Sequence, residues 1–321
     1  MKQKLTSLLM GALAAACISL SAGAQTYPNK PIRLINGFAA GGNADVVARL
    51  VAEKMSARLG QPIILESKPG AGTLIANGYV AKSDPDGYTL LLVSGAFPTS
   101  AVTAKSLTFD PVSDFAWVSM MISYPLAVVV KADSPIKSVQ DLLAAAKARP
   151  GQLNYPSPGT GSLVHLAVEL FNAEARVETV HIPFRGGAEP MTQLLAGRMD
   201  FGFETLTFAR PQLSAGSVRA IAVTSRERIP DMKDVPAVAE TLSGYEAISF
   251  LGIAAPAGTP PSIVEKLQQE VKRAVEDPEI QARFREMGGV TWANTPEAMK
   301  AFMAGEIKKW KDIAAARKIG G

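Results

Sequence analysis

The chain has 321 residues, of which 47% are hydrophobic and 19% charged, with 33 Lys and Arg against 29 Asp and Glu. Its 27 Gly and 22 Pro are dispersed, so the composition excludes a disordered chain, a collagen and a coiled coil. No run of Lys and Arg interleaved with aromatic residues occurs, and no nucleic acid partner is expected. The length suits two modest domains better than one.

The N-terminal segment has the pattern of a secretory signal peptide. Lys2 and Lys4 precede the apolar residues 5–20, and Ala22-Gly23-Ala24 is a small-residue pattern that signal peptidase cleaves. The apolar stretch is shorter than the ~20 residues that a membrane-spanning helix needs. We therefore predict a signal peptide over residues 1–24, cleavage after Ala24 and export of the remaining chain.

Cys17 is the only cysteine of the chain. Cleavage after Ala24 removes it, so the exported form has no disulfide, no cysteine–zinc site and no thiol nucleophile. Acylation of Cys17 in a lipoprotein stays open as an alternative, although the usual large aliphatic residue three places before the cysteine is missing.

The first elements repeat the order strand, glycine loop, helix. A β-rich run at residues 32–35 enters a loop with Gly41 and Gly42, and the helix that follows has apolar residues at 3.6-residue spacing. A second run at 62–66 is also followed by a glycine loop and a helix. A third run at 88–93 is apolar on both faces, which is typical of a strand covered by helices on both sides of a parallel sheet. These elements predict a doubly wound α/β lobe.

A second cycle begins after Tyr124-Pro125 and predicts another sheet. Two uncharged stretches, 115–130 and 247–264, contain turn residues and are predicted as buried strands followed by turns, not as membrane spans. The last strand and the C-terminal helices have no third sheet to join, so they return to the first lobe. The sequence predicts an α/β fold of two lobes, each a doubly wound sheet with flanking helices: lobe 1 is residues 25–124 plus 246–321, and lobe 2 is residues 125–245, with the return crossing between 225 and 250.

Two lobes joined by two crossing segments enclose a cleft. In α/β sheets, ligands bind at the strand ends where glycine loops open helices. The loops at Gly41-Gly42, residues 70–73, residues 159–162 and Gly186-Gly187 would point backbone N–H groups and positive helix ends into this cleft. Such a surface binds a small anion, and we predict neither a cofactor nor a metal site.

Several motifs in fixed order carry a family resemblance over nearly all of the exported chain. They include Tyr27-Pro28-Asn29-Lys30-Pro31-Ile32-Arg33, Phe38-Ala39-Ala40-Gly41-Gly42, Lys68-Pro69-Gly70-Ala71-Gly72, Pro183-Phe184-Arg185-Gly186-Gly187 and Ala255-Pro256-Ala257-Gly258-Thr259-Pro260. The chain resembles the substrate-binding proteins of tripartite tricarboxylate transporters, also called the Bug family of periplasmic receptors. The resemblance implies a type 2 periplasmic-binding-protein (Venus flytrap) fold in the periplasm. It also implies a receptor that closes on a small carboxylate and delivers it to the membrane permease subunits of the transporter. We expect a monomer.

The family holds a ligand carboxylate through the loops that match residues 38–42 and 159–162. Two departures occur: Gly37 and Ala40 stand where the family usually has prolines, and Glu204 stands where an Asp is common. The identity of the carboxylate therefore stays open. The predicted ligand-binding residues are Phe38, Ala39, Ala40, Gly41, Gly42, Thr73, Ser94, Ser157, Thr160, Gly161, Ser162, Phe184, Gly186, Gly187 and Glu204.

Two other functions are compatible with the same fold. A closed receptor can dock on a membrane sensor instead of a permease, and the sequence does not separate these partners. A periplasmic serine hydrolase would need a Ser–His pair, and we expect Ser157 or Ser162 beside His165 to be the only plausible one. Because Gly-x-Ser-x-Gly, His-Glu-x-x-His and Walker motifs are absent, we predict no catalytic residues and no enzyme activity.

Overall fold

The computed structural model describes residues 27–184 and 188–320. Lobe 1 begins with three parallel strands, in the order β2-β1-β3. The chain alternates these strands with helices: β1 (Ile32–Asn36), α1 (Asn43–Leu59), β2 (Ile63–Ser67), α2 (Leu74–Ala81), β3 (Thr89–Ser94) and α3 (Ala96–Thr103). The predicted repeat of strand, glycine loop and helix is confirmed here.

One long strand, β4 (Phe115–Lys131), belongs to both lobes. Its first part pairs antiparallel with β9 (Ile248–Pro256), which in turn pairs with β3. From Leu126 onward, β4 pairs with β7 (Gly202–Thr205) and β8 (Val218–Val223). A short strand, β10 (Val290–Thr291), joins β4 at Ser123. The sheets of the two lobes are thus continuous through β4.

Lobe 2 contains two further parallel strands, β5 (Asn154–Ser157) and β6 (Val180–Pro183). The backbone N–H of Asp200 donates to the carbonyl of Asn154 at 3.1 Å, which holds the approach to β7 beside β5. The helices of this lobe are α4 (Val139–Ala148), α5 (Leu163–Ala175), α6 (Glu189–Leu195) and α7 (Leu206–Ser214).

Buried apolar residues cover both faces of each lobe's sheet, as a doubly wound arrangement requires. In lobe 1, α1 packs on one face together with the C-terminal helices α8 (Pro261–Val275) and α9 (Pro278–Glu286), whereas α2 and α3 pack on the other. In lobe 2, α4 and α5 cover one face, and α6 and α7 cover the other. No helix in the described residues is long and apolar enough to cross a bilayer.

The last helix, α10 (Pro296–Ala316), contacts both lobes. Met299 and Met303 lie in the core between α2, α3 and the lobe 1 sheet. Trp310 and Ile313, two to four turns later, lie in the core of lobe 2 beside α5. The last helix therefore packs on lobe 1 with its first half and on lobe 2 with its second half.

The two crossing segments lie side by side. Pro125 in β4 pairs with Ile248 at the start of β9. The buried Thr224 donates its N–H to the carbonyl of Leu126 and accepts the N–H of Ala247 at its own carbonyl. Its hydroxyl lies 2.6 Å from the carbonyl oxygen of Ala247. Both chain crossings are therefore tied to each other by hydrogen bonds through Thr224.

Candidate ligand-binding site

The first predicted ligand loop follows β1. The side chain of Asn36 is buried, and its Oδ1 accepts the N–H of Phe38 at 3.0 Å, while its Nδ2 has no partner in the described part of the chain. Phe38 is half-buried, whereas the four residues that follow it, Ala39, Ala40, Gly41 and Gly42, are exposed. This loop presents backbone to solvent at the carboxyl end of a central strand.

Asp45 holds the same loop in shape. Gly41 has a φ of +85°, which favours glycine, and its N–H donates to Asp45 Oδ2 at 3.1 Å. Arg49 pairs with the same carboxylate at 2.9 Å and holds the pKa of Asp45 below its usual range. Helix α1 then begins after Gly42, with no side-chain cap. Its first N–H groups have no intrahelical partner and form a positive end at the loop.

Thr73 and Ser94 lie at the ends of the neighbouring segments of lobe 1. Thr73 is buried at the end of a short 3₁₀ turn, Ala71–Thr73, and has a φ of +85°. A β-carbon on Gly37 would lie 2.7 Å from the Cβ of Thr73, so the first loop packs directly on this turn. Ser94 is also buried, and its Oγ accepts the N–H of Ala96 at the start of α3.

The second predicted ligand loop follows β5 in lobe 2. Ser157 is fully buried, and its Oγ accepts the N–H of Gly159 at 3.1 Å. Gly161 donates its N–H to His165 Nδ1 at 3.0 Å, and Ser162 caps α5 by accepting the N–H of His165. Thr160 is exposed at the tip of the loop. Hydrogen bonds on both sides of Thr160 therefore fix the loop.

The Ser–His pairing expected from the sequence is wrong in its partner. Ser157 Oγ lies 2.6 Å from Nε2 of His181, not beside His165. His165 is instead packed against His181, with ring centroids 3.7 Å apart, and is hydrogen-bonded as expected of a buried histidine. Burial lowers the pKa of each histidine to about 4, so both are neutral at pH 7. Among residues 27–184 and 188–320, no carboxylate hydrogen-bonds to His181, so no Ser–His–acid triad forms there.

A cavity of about 420 Å³ lies between the two lobes beside these loops. Lobe 1 lines it with residues 71, 72 and 74 and with one face of α3, and lobe 2 lines it with residues 158–163. A β-carbon on Gly161 would lie 3.1 Å from Thr103 Oγ1, so the lobes approach closely at this point. No charged side chain lines the cavity. The lining is partly apolar, through residues such as Leu74 and Leu163, and its polar groups are backbone groups and hydroxyls.

Glu204 stands apart from these residues. It lies near the end of β7, opposite Ala127 of β4, and does not line the cavity. Its side chain is 4% exposed and has no hydrogen bond or ion pair within the described residues. Burial raises the pKa of this carboxyl to about 8, so it is protonated at neutral pH.

The structure thus brings together part of the predicted site. Gly161 and its neighbours Thr160 and Ser162 line the interlobe cavity directly. In lobe 1, the loop 37–42 packs directly on Thr73. In lobe 2, a β-carbon on Gly159 would lie 3.9 Å from the carbonyl oxygen of Phe184, so these two residues are neighbours. Gly186 and Gly187 lie outside the described residues.

Sequence reasoning missed the contribution of α3 to this cavity. Ala96, Thr99, Ser100 and Thr103 follow the spacing i, i+3, i+4, i+7, which places them on one helical face, and all four line the cavity. The sequence contains a signal for this helix face, because small residues recur at helical spacing directly after the buried strand β3. Small side chains at the end of a strand leave space for a ligand or for the other lobe. His181 was missed as the partner of Ser157.

One family model and several known proteins match this chain over most of its length. The family model described as "Tripartite tricarboxylate transporter family receptor" matches residues 47–319. Protein BugT of Bordetella pertussis is 32% identical over 306 residues, which are 94% of this chain and 93% of BugT. The solved structure of R. palustris Rpa4515 with adipate is 32% identical, with a TM-score of 0.77, over 92% of this chain and 99% of that chain.

MatC (Rpa3494) from Rhodopseudomonas palustris, solved with bound malate, is 29% identical to this chain. The TM-score is 0.74, and the match covers 89% of this chain and 99% of MatC. These neighbours confirm the expected periplasmic-binding-protein fold. The family match and the relative above 30% identity together confirm the resemblance read from the sequence motifs. The chain belongs to the receptors of the tripartite tricarboxylate transporter family.

Proposed function

We propose that this protein captures a small carboxylate in the cavity between its lobes and delivers it to the membrane permease subunits of a tripartite tricarboxylate transporter. The observation that carries the proposal is the interlobe cavity, which has no charged lining residue and is edged by helix N-termini from both lobes. Backbone N–H groups and hydroxyls at such positions bind anions. The bound adipate of Rpa4515 and malate of MatC support a dicarboxylate or similar acid as the ligand.

We assign the ligand contacts to both loops. In lobe 1, Phe38 forms an apolar wall, and the loop from Ala39 to Gly42 offers N–H groups at the uncapped start of α1. In lobe 2, Thr160 and Ser162 offer hydroxyls beside the backbone of Gly161. The remaining members of the proposed site are Thr73, Ser94, Ser157, Phe184, Gly186, Gly187 and Glu204.

Glu204 has a distinct proposed role: it lies outside the lining of the interlobe cavity, so it would meet only a ligand group that reaches beyond this cavity toward β7. A carboxylate there would repel an anionic ligand, but burial keeps this group protonated at neutral pH. A neutral carboxyl donates one hydrogen bond through its O–H and accepts others. Glu204 is therefore compatible with a second acidic group on the ligand.

We propose that residues 25–124 plus 246–321 and residues 125–245 move as two bodies about the crossing segments near Pro125 and Ala247. Ligand contacts made with both lobes would stabilise the closed arrangement relative to the open one. Because α10 packs on both lobes, it would bend or slide during closure. We further propose a monomer, exported to the periplasm after cleavage at Ala24.

A binding role without catalysis is supported by the state of Ser157. Its side chain is fully buried and does not line the cavity, and its Oγ accepts the N–H of Gly159. In the proposed site, Ser157 therefore holds the ligand loop and does not act as a nucleophile. The family is one of receptors. We therefore propose no enzyme activity for this chain.

The test is calorimetry and thermal unfolding of residues 25–321 with adipate, malate and a panel of mono-, di- and tricarboxylates. A ligand at a hundred times its Kd is expected to add about 2.7 kcal/mol of stability. Saturable binding of one acid supports the proposal, and co-purification with the permease subunits supports delivery. The absence of binding to every acid of the panel would contradict it.

A further inference from the structure

Two stacked histidines lie beneath the lobe 2 ligand loop. The rings of His165 and His181 are parallel within 13° and their centroids are 3.7 Å apart. Each ring makes one hydrogen bond to the loop: His165 Nδ1 accepts the N–H of Gly161, and His181 Nε2 bonds to Ser157 Oγ. Ser157, just before the loop, and Gly161, within it, are therefore both held by the same pair of stacked histidine rings.

The protonation state of His165 follows from its partner. A backbone N–H can only donate, so Nδ1 of His165 must be unprotonated and the ring proton sits on Nε2. If Nδ1 took up a proton, two donors would face each other and the bond to Gly161 would be lost. A second charge on His181, 3.7 Å away, would add repulsion between the rings.

One charged group beside the stack, Glu169, favours protonation of His181, but burial outweighs it. Tyr155, on β5, lies next to His181 and donates its hydroxyl to Glu169 of α5 at 2.7 Å. The same carboxylate is paired with Arg317, just after α10, at 3.0 Å. Glu169 raises the pKa of His181, but burial and His165 lower it further, to about 4, and burial alone lowers that of His165 to about 4.

We propose that His165 and His181 are positioning residues that hold the lobe 2 ligand loop in its binding shape, and that protonation of this pair releases the loop and weakens carboxylate binding. This inference rests on the proposed carboxylate site, because the loop carries Thr160 and Ser162. Binding is strongest where both rings are neutral and weakens as pH falls through the range in which they take up protons.

Substitutions at the two histidines separate positioning from packing. His165→Leu removes the acceptor for Gly161 but keeps an apolar side chain. His165→Asn keeps an acceptor near the position of Nδ1 and cannot take up a proton in this range. His181→Gln keeps a hydrogen-bonding group near the position of Nε2 and likewise cannot take up a proton. At about pH 7, loss of this acceptor in His165→Leu is expected to weaken binding of adipate or malate by roughly tenfold. We expect the double variant His165→Asn/His181→Gln to bind within about threefold of the natural protein.

The pH profile is the decisive readout. Adipate and malate themselves take up protons in acid, so affinity is compared between the natural protein and the double variant at each pH. Because the pKa of each ring is about 4, about half of each histidine is protonated at pH 4. Between about pH 7 and pH 4, the natural protein is therefore expected to lose about two- to fourfold more affinity than the double variant. Equal affinity of His165→Leu, or the same pH profile in both proteins, would overturn the inference.

A ligand-free measurement separates failure of this inference from failure of the carboxylate site. Amide hydrogen exchange at Gly161 is expected to be slow in the natural protein and in His165→Asn, and fast in His165→Leu. If neither acid binds but Gly161 behaves in this way, the proposed function fails and the positioning role stands. If an acid binds while Gly161 exchange is unchanged in His165→Leu, the positioning role fails. Should His165→Leu not fold, the pH dependence of Gly161 exchange in the natural protein and His165→Asn decides the question.

Discussion

Gly37 and Thr73 are in such close contact that a β-carbon at position 37 would lie 2.7 Å from the Cβ of Thr73. Thr73 itself has a φ of +85°, an unusual value for a β-branched residue, and the Nδ2 of Asn77 donates to its Oγ1 at 3.1 Å. The loop that follows β1 therefore takes its position from a strained turn that precedes α2. Through this contact, two loops of the proposed site form one surface.

Gly37→Ala is expected to force this contact apart. Overpacking of this kind costs about 1–3 kcal/mol of stability and would displace the loop 38–42, so carboxylate affinity should fall as well. Thr73→Gly removes the opposing Cβ and suits the positive φ, so it should reduce the cost of Gly37→Ala in the double variant. Urea unfolding of the four proteins measures this coupling, and strictly additive free energies of unfolding would show that the contact does not set the loop.

Gly42→Val is expected to abolish carboxylate binding with little change in the fold. Gly42 has a φ of −78°, which any residue adopts, and a β-carbon there would meet only the carbonyl of Ala39 at 3.8 Å. A branched side chain would instead cover the first N–H groups of α1, where we place the ligand carboxylate. Calorimetry with adipate and malate measures the loss. Unchanged affinity would remove this loop from the site.

Gly305→Ala is the matched control for this variant. Gly305 lies inside α10, and a β-carbon there would have no atom within 4 Å. Because alanine is the better helix former, this substitution should raise stability by about 0.5–1 kcal/mol. Carboxylate affinity should stay the same, which would show that the loss in Gly42→Val comes from its position in the ligand loop and not from the loss of a glycine as such.

Ser162→Ala and Ser138→Ala compare two helix caps of the same kind. Ser162 accepts the N–H of His165 at 3.3 Å, and Ser138 accepts the N–H of Asp141 at 3.1 Å at the start of α4. Each substitution should cost about 1 kcal/mol of stability, because each removes an N-cap. Only Ser162→Ala should also weaken carboxylate binding, since Ser138 does not line the interlobe cavity. Equal affinities of the two variants would assign Ser162 a capping role alone.

The strands of the fold were predictable where their patterns are local. The runs at 32–35 and 88–93 lie within β1 and overlap β3, because buried parallel strands are apolar on both faces. The continuity of β4 was not predictable. Proline lacks an N–H and is rare inside a central strand, so the sequence predicts a boundary between the two lobes at Pro125 and not one strand that continues through it. The structure places it where β4 changes partners, from β9 to β7 and β8.

The site was predictable only in part for a similar reason. A glycine loop that opens a helix predicts Thr160 and Ser162 without any knowledge of neighbours. The pairing of Ser157 with His181 depends on the register of β5 and β6, in which Tyr155 is opposite His181 and Ser157 is opposite Pro183. No pattern in either strand fixes that register. The second half of α10 is a parallel case, because an apolar helix face does not specify which lobe it will contact.

Glu204 supplies a prediction with a defined sign. The carboxyl has a pKa of about 8 in the folded protein, raised by burial, against an ordinary value of 4.5. Between these values the folded state binds more protons than the unfolded state, so stability falls as pH rises. The contribution of Glu204 to the free energy of unfolding is therefore most favourable below about pH 4.5. This contribution is fully lost once the pH exceeds about 8. The shift corresponds to a loss on the order of 5 kcal/mol.

Glu204→Gln keeps the size and hydrogen-bonding groups of the neutral acid but cannot ionise. The variant should match the natural protein near pH 4.5 and become more stable than it as pH rises to about 8. Urea unfolding across this range measures the difference, and Glu53→Gln, on the exposed side of α1, controls for the loss of one carboxylate at the surface. If the stability of Glu204→Gln ran parallel to that of the natural protein at every pH, Glu204 would have to be ionised in the folded state. A hydrogen bond from a protonated Glu204 to an acidic group of the ligand would then be excluded.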